Sequence, residues 1–166
     1  MHHTTYERGF TLLEMVTVIF IIGVLSTIVL AGLQSSREKA RDDERVTDLA
    51  TLQLALEMYY NACGRQYPAP ASGALDLTAH NGCSGSVEFG TFAKTPLPKD
   101  PLNSTDYVYA VNATPPTDYV LKATFETAHR KLSEDVDGTK FASPAAGPET
   151  SCGANDATDN LYCVTP

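Results

Sequence analysis

The sequence predicts an α+β chain: one very long N-terminal α-helix, apolar in its first half, packed in its second half against a small antiparallel β-sheet head. Three observations lead there. An apolar run extends from Phe10 to Leu33 with Glu14 as its only charge. Apolar residues then go on recurring every three or four positions as far as Cys63, the period of one buried helix face. After Gly64 the punctuation changes: all ten prolines lie at or beyond Pro68, and two short runs rich in β-branched and aromatic residues follow.

The first element is the run FTLLEMVTVIFIIGVLSTIVLAGL, residues 10–33. As a helix it is about 36 Å long, enough to cross a hydrocarbon core of about 30 Å. A buried core helix seldom needs so many consecutive apolar residues. A signal peptide has a shorter apolar region with a small-residue cleavage site after it. The run therefore reads as a membrane span. Glu14 is its anomaly, because a charge inside a membrane helix costs roughly 2.5 to 3.5 kcal/mol on insertion scales and normally has a partner. Counting Lys and Arg alone, Arg8 ahead of the run against four basic residues in Arg37 to Arg45 would favour the wrong side for an exported domain, whereas the cysteines below argue the other way.

Beyond the span the helix turns amphipathic. Val46, Leu49, Leu52, Leu56, Tyr59 and Cys63 form the buried face, with Arg45, Thr47, Asp48, Gln53 and Glu57 on the solvated side. Pairs such as Glu38 with Arg41 add a few tenths of a kcal/mol each. One helix is expected from Phe10 to Ala62, ended by Gly64.

In the head, Arg65 to Pro70 reads as an extended exit, because residues before proline avoid the helical region. Residues 71–90 read as a Gly-, Ser- and Ala-rich surface loop with one short helix around Leu75. Tyr107–Asn112 and Tyr119–Thr127 read as two strands, and alternation puts Tyr107, Tyr109 and Val111 on one face. These tyrosines are expected to pack in the sheet rather than stack on a ligand.

Four cysteines, Cys63, Cys83, Cys152 and Cys163, form no CxxC and share no zinc-ligand spacing with the four histidines. An even count in an exported domain points to two disulfides. Three connectivities are possible, and the nearest-neighbour pairs Cys63–Cys83 and Cys152–Cys163 are favoured. The net charge of −8 carries no basic stripe for a phosphate backbone, so direct nucleic-acid binding is not expected. Glu134, Asp135 and Asp137 bring carboxylates beside a turn glycine, the donors calcium prefers. The run is too short for an EF-hand loop, a solvated turn is the preferred reading, and no metal site is assigned. Asn103-Ser104-Thr105 and Asn112-Ala113-Thr114 match a glycosylation sequon that recurs by chance. His80 and His129 are expected at the surface. No Walker loop, GxSxG or HExxH occurs, so neither catalytic residues nor a cofactor are predicted.

The residues Arg8-Gly9-Phe10-Thr11-Leu12-Leu13-Glu14 resemble the processing site shared by type IV pilins and type II secretion pseudopilins. Leu97-Pro98-Lys99-Asp100-Pro101-Leu102, followed by Tyr107-Val108-Tyr109, resembles the PKDP run that opens the sheet in many of them, and a C-terminal disulfide loop is frequent there. The resemblance implies a type IV pilin-like fold and four segments: a removed leader (1–9), a membrane and filament-core helix (10–33), an amphipathic helix (34–63) and a β-rich head (64–166). It implies that a prepilin peptidase cuts between Gly9 and Phe10 and methylates the new Phe10 amine. Some pseudopilins also bind calcium in the part of the head that holds Glu134. The implied partners are the membrane before assembly, an inner-membrane assembly platform and further copies of the chain.

Physics gives Glu14 a role within that scheme. In a low-dielectric bundle, the Phe10 amine of one subunit and the Glu14 carboxylate of its neighbour attract strongly, and a wrong stagger leaves a charge buried and unpaired. The expected function is a structural subunit of an extracellular type IV pilus, held in the cytoplasmic membrane as a precursor. The alternative is a pseudopilin of a type II secretion system. The length of head after the second strand and Leu102, where an aromatic residue often stands, favour the pilus. A third reading, a membrane-anchored binding domain that never polymerises, would keep Met1 and have no need of Glu14.

Overall fold

The structure is a computed structural model that describes residues 9–70, 73–85, 87–112, 115–136, 152 and 160–166, the side chain of Ala31 aside. The chain divides into two units, Met1–Arg37 and Glu38–Pro166. One helix, α1 (Leu12–Ala62), runs unbroken through both, Gly23 and Gly32 included.

In the first unit the apolar side chains of α1, among them Leu12, Ile19, Phe20, Ile28 and Val29, are exposed. The stretch is long and apolar enough to cross a membrane. Hydroxyls within it bond back to the helix: Thr17 donates to the Glu14 carbonyl (3.0 Å), Ser26 to that of Ile22 (2.7 Å) and Thr27 to that of Val24 (2.7 Å). Back-bonding of this kind is what a helix surrounded by hydrocarbon requires of its polar groups.

The second unit is the head with the amphipathic half of α1. The helix closes in a Schellman arrangement: Gly64 takes φ +64, and the Arg65 amide reaches back to the Tyr60 carbonyl (3.1 Å). Strands β1 (Val108–Val111), β2 (Tyr119–Thr124) and β3 (Leu161–Val164) form an antiparallel sheet in that order. Tyr109 pairs with Leu121, and Lys122 with Cys163.

Alternation gives the sheet two buried faces. Tyr107, Tyr109, Tyr119, Leu121 and Ala123 join Leu49, Leu52, Leu56, Tyr59 and Cys63 of α1 in the main core. On the other face Val120 lies under Cys152 and Cys163. The buried tyrosines keep their hydroxyls bonded where they can: Tyr59 to the Asn81 carbonyl (2.6 Å), Tyr107 to Asp48 (2.7 Å) and Tyr109 to the Pro68 carbonyl (2.9 Å).

In the head, the secondary structure departs from the sequence reading at Leu75, at the end of β2 and at the C-terminal segment. Leu75 lies in irregular backbone rather than a short helix, and the regular turn of that region is a 3-10 helix at Phe89–Thr91. Phe89 sets its place, being fully buried against the Tyr59 ring with centroids 5.8 Å apart. Strand β2 stops at Thr124 instead of Thr127, because Glu126 and Thr127 turn their amides to a helix carboxylate. The C-terminal segment supplies a third strand that no local pattern announced, since four residues at the chain end carry too little periodicity to read.

Candidate functional site

The entrance of α1 is built by Thr11 and Glu14. Thr11 stands just before the helix; its hydroxyl accepts the Glu14 amide (3.2 Å), while its own amide and hydroxyl both donate to Glu14 Oε2 (2.9 Å each). This is a reciprocal capping box, and Thr11-Leu12-Leu13-Glu14 has its T-x-x-E spacing. That signal was available in the sequence. The glutamate thus has a local partner at the mouth of the apolar run, and both bonds fall on one oxygen. Gly9 and Phe10 precede the helix, both exposed, and the leader residues ahead of Gly9 lie outside the described residues.

A second constellation joins the helix to the head. Arg45, expected on the solvated side, is 1 % exposed. Its guanidinium takes Asp100 with both arms, Nε to Oδ2 (2.7 Å) and Nη2 to Oδ1 (3.1 Å). Nη1 donates to Asp42 (2.7 Å) and to Glu126 (2.9 Å). Fully buried Asp42 also accepts the amides of Glu126 (2.9 Å) and Thr127 (3.0 Å) and the Thr127 hydroxyl (2.7 Å). Arg41 pairs with Glu126 rather than serving only Glu38.

The bonds from Arg41, helped by Arg45, hold the Glu126 carboxyl down at about 2. Burial pushes Asp100 up, but the Arg45 bond and two backbone amides outweigh it, and its pKa is lowered. Asp100 belongs to the Pro98-Lys99-Asp100-Pro101 run, and its oxygens also accept the Leu102 amide (2.9 Å) and so fix that turn. The missed signal was periodicity. Positions 42, 45, 49, 52, 56, 59 and 63 keep a strict alternation of three and four, which puts Asp42 and Arg45 on the buried face ahead of Leu49.

The structure pairs Cys63 with Cys83 and Cys152 with Cys163. Of the calcium candidates, Glu134 is held by Lys131 (2.5 Å), Asp135 accepts the Cys163 amide (2.9 Å), and Asp137 lies outside the described residues. No group of three or more metal-ligating side chains occurs among the described residues. His80 is exposed. His129 is not the free surface residue expected: its Nδ1 accepts the Lys131 amide (3.2 Å) and its Nε2 lies 3.1 Å from Asp43.

Residues 4–30 match the family described as the prokaryotic N-terminal methylation motif. Residues 33–124 match the family described as type II secretion system (T2SS), protein G. The type II secretion system core protein G of Escherichia coli (strain K12) is 36 % identical over 140 residues, which cover 83 % of this chain and 88 % of that protein. The chain belongs to the type II secretion system protein G family.

Two further protein G relatives are similar over shorter spans. That of Vibrio cholerae is 37 % identical over 105 residues, 62 % of this chain and 70 % of the relative. That of Klebsiella pneumoniae is 38 % identical over 105 residues, 61 % and 72 % respectively. No solved structure gives a significant match. The family-model match over residues 33–124 ends with β2 and takes in Asp42, Arg45 and Asp100.

Proposed function

We propose that this protein is a structural pseudopilin, polymerising through its N-terminal helix into the fibre of a type II secretion system. The observation that carries the reading is the match to a type II secretion system core protein G over 88 % of that protein's length. The methylation-motif match over residues 4–30 supports processing between Gly9 and Phe10, with methylation of the new amine, and so disfavours an anchor that keeps Met1. The length beyond β2 had favoured an extracellular pilus. In the structure that length supplies a 3-10 helix (Arg130–Glu134) and β3, which complete the head, so it no longer argues for a pilus.

The precursor sits in the cytoplasmic membrane by the apolar half of α1 and is drawn by an assembly platform into contact with further copies. Within the fibre the Phe10 amine of one copy faces Glu14 of the next. Oε2 carries both Thr11 bonds within the same copy. A misplaced neighbour would leave the amine unpaired in a dry bundle, and that cost selects the register.

The test is complementation. In a bacterium whose own protein G gene is deleted, this chain restores secretion of the system's substrate and its purified form begins at N-methyl-Phe10. Surface filaments in which this chain is the main subunit, with no restored secretion, would overturn the reading.

A further inference from the structure

The sequence contains one Asn-Gly pair, Asn81-Gly82. In such a pair the glycine nitrogen attacks the preceding side-chain amide with least hindrance, because no Cβ stands in the way. The fold imposes the pair. Gly82 takes φ +76, and a Cβ there would collide with the Cys63 carbonyl and the Gln66 side chain. No other residue fits that approach, so the labile dipeptide is a consequence of how closely the loop meets the helix end.

Asn81 is gripped through both side-chain polar atoms and its own carbonyl. Its Oδ1 accepts the Ala69 amide (2.6 Å), its Nδ2 donates to the Tyr67 carbonyl (2.5 Å), and its own carbonyl accepts the Tyr59 hydroxyl (2.6 Å). Two residues on, Cys83 is bonded to Cys63, the last position of the helix's buried face. The helix end, the extended exit and the loop are thus tied together through one asparagine and one disulfide. Rotation of the amide into reach of the Gly82 nitrogen would break both side-chain bonds.

We propose that Asn81-Gly82 is a latent self-modification site, held inert while the Cys63–Cys83 disulfide is closed and released when it is reduced. A dithiol reductant gives two electrons to the disulfide, becomes oxidised to its own cyclic disulfide, and leaves two thiols on the protein. The loop then leaves the helix end. The deprotonated Gly82 nitrogen attacks Asn81 Cγ; the N–Cγ bond forms, the Cγ–Nδ2 bond breaks, and ammonia departs with a proton from water. Water adds to either carbonyl of the cyclic imide and opens it to aspartate or isoaspartate. The aspartate product puts a carboxylate oxygen opposite the Tyr67 carbonyl, where Nδ2 had donated. Two acceptors cannot share that contact. Reoxidation does not restore the clasp, so the change is a one-way record of a lost disulfide.

After incubation every sample is reduced and alkylated, and trypsin, cleaving after Arg65 and Lys94, then releases a peptide in which Asn81 is the only asparagine. Mass spectrometry of that peptide follows conversion over time at mildly alkaline pH. Three samples are compared: the intact full chain, the same chain reduced with a dithiol and alkylated, and the alkylated free peptide. Loss of two ordinary hydrogen bonds predicts conversion about thirtyfold faster in the reduced chain than in the intact one.

An intact chain that converts as fast as the free peptide overturns the proposal, and so does a rate unchanged by reduction. Removing the other disulfide by Cys152→Ser with Cys163→Ser leaves Asn81 inert; equal acceleration there would mean general loosening and would also overturn it. In the disulfide-closed Asn81→Asp variant, hydrogen exchange speeds at the Ala69 amide while β1 and β2 stay protected. Unchanged Ala69 protection would refute the one-way consequence.

Discussion

At the scale of single residues, Arg45 shows how far a charge can be buried when every donor has a target. Its guanidinium reaches acceptors on Asp42, Asp100 and Glu126. Removing it leaves Asp42 fully buried with no cation. Arg45→Ala should therefore cost about 3–5 kcal/mol of head stability, measured by denaturant unfolding of the purified protein in detergent. Arg45→Lys should recover only part of that loss, because an ammonium cannot reproduce the two-armed grip on Asp100. Glu126 gives the pH dependence. Its folded-state pKa of about 2 lies below the ordinary glutamate range, so its contribution is complete above that range and fades as the pH falls toward 2. Unfolding midpoints measured across that window should fall with acid in the native chain and fall less steeply in Glu126→Gln.

At the scale of elements, α1 joins two kinds of helix in one. Its first half satisfies hydroxyls internally and leaves its apolar surface exposed, whereas its second half buries one face under a sheet. Glu14 belongs to both descriptions, as a capping-box partner of Thr11 and as the proposed pair of a neighbour's amine. The two roles separate by mutation. Thr11→Ala removes the cap, worth about 1 kcal/mol, and should fray the helix start while leaving assembly near normal. Glu14→Gln keeps an acceptor for Thr11 yet loses the charge, and should abolish fibre formation in a processed chain. Fibre yield and N-terminal sequencing of both variants check this; equal assembly by Glu14→Gln would remove the register role.

At the scale of the whole head, two disulfides hold opposite sides of one sheet. Cys63–Cys83 lies at the helix end of the main core, and Cys152–Cys163 covers Val120 on the other face. Replacing Cys152 and Cys163 by serine should cost about 2–4 kcal/mol and raise hydrogen exchange first along β3, the edge strand that the bridge retains. The Arg45 cluster should survive that change, because the acceptors of Arg45 lie on α1, at Asp100 and just beyond β2. Equal loss of protection at Tyr109 and at Val164 would show instead that the sheet opens as one unit.

The sequence by itself determined what depends on near neighbours. The apolar run set the first half of α1, the spacing from Leu49 to Cys63 set the buried face, and Thr11 to Glu14 spelled the entrance within four residues. Tertiary structure alone decided what depends on residues far along the chain. Arg45 meets Asp100 and Glu126 across 55 and 81 positions, and β3 is a strand only because β2 offers it an edge. The reason is physical. A helix carries its hydrogen bonds within itself, so its period is written locally. A strand's partner, or a buried charge's counter-ion, is chosen by whatever the closed chain brings beside it.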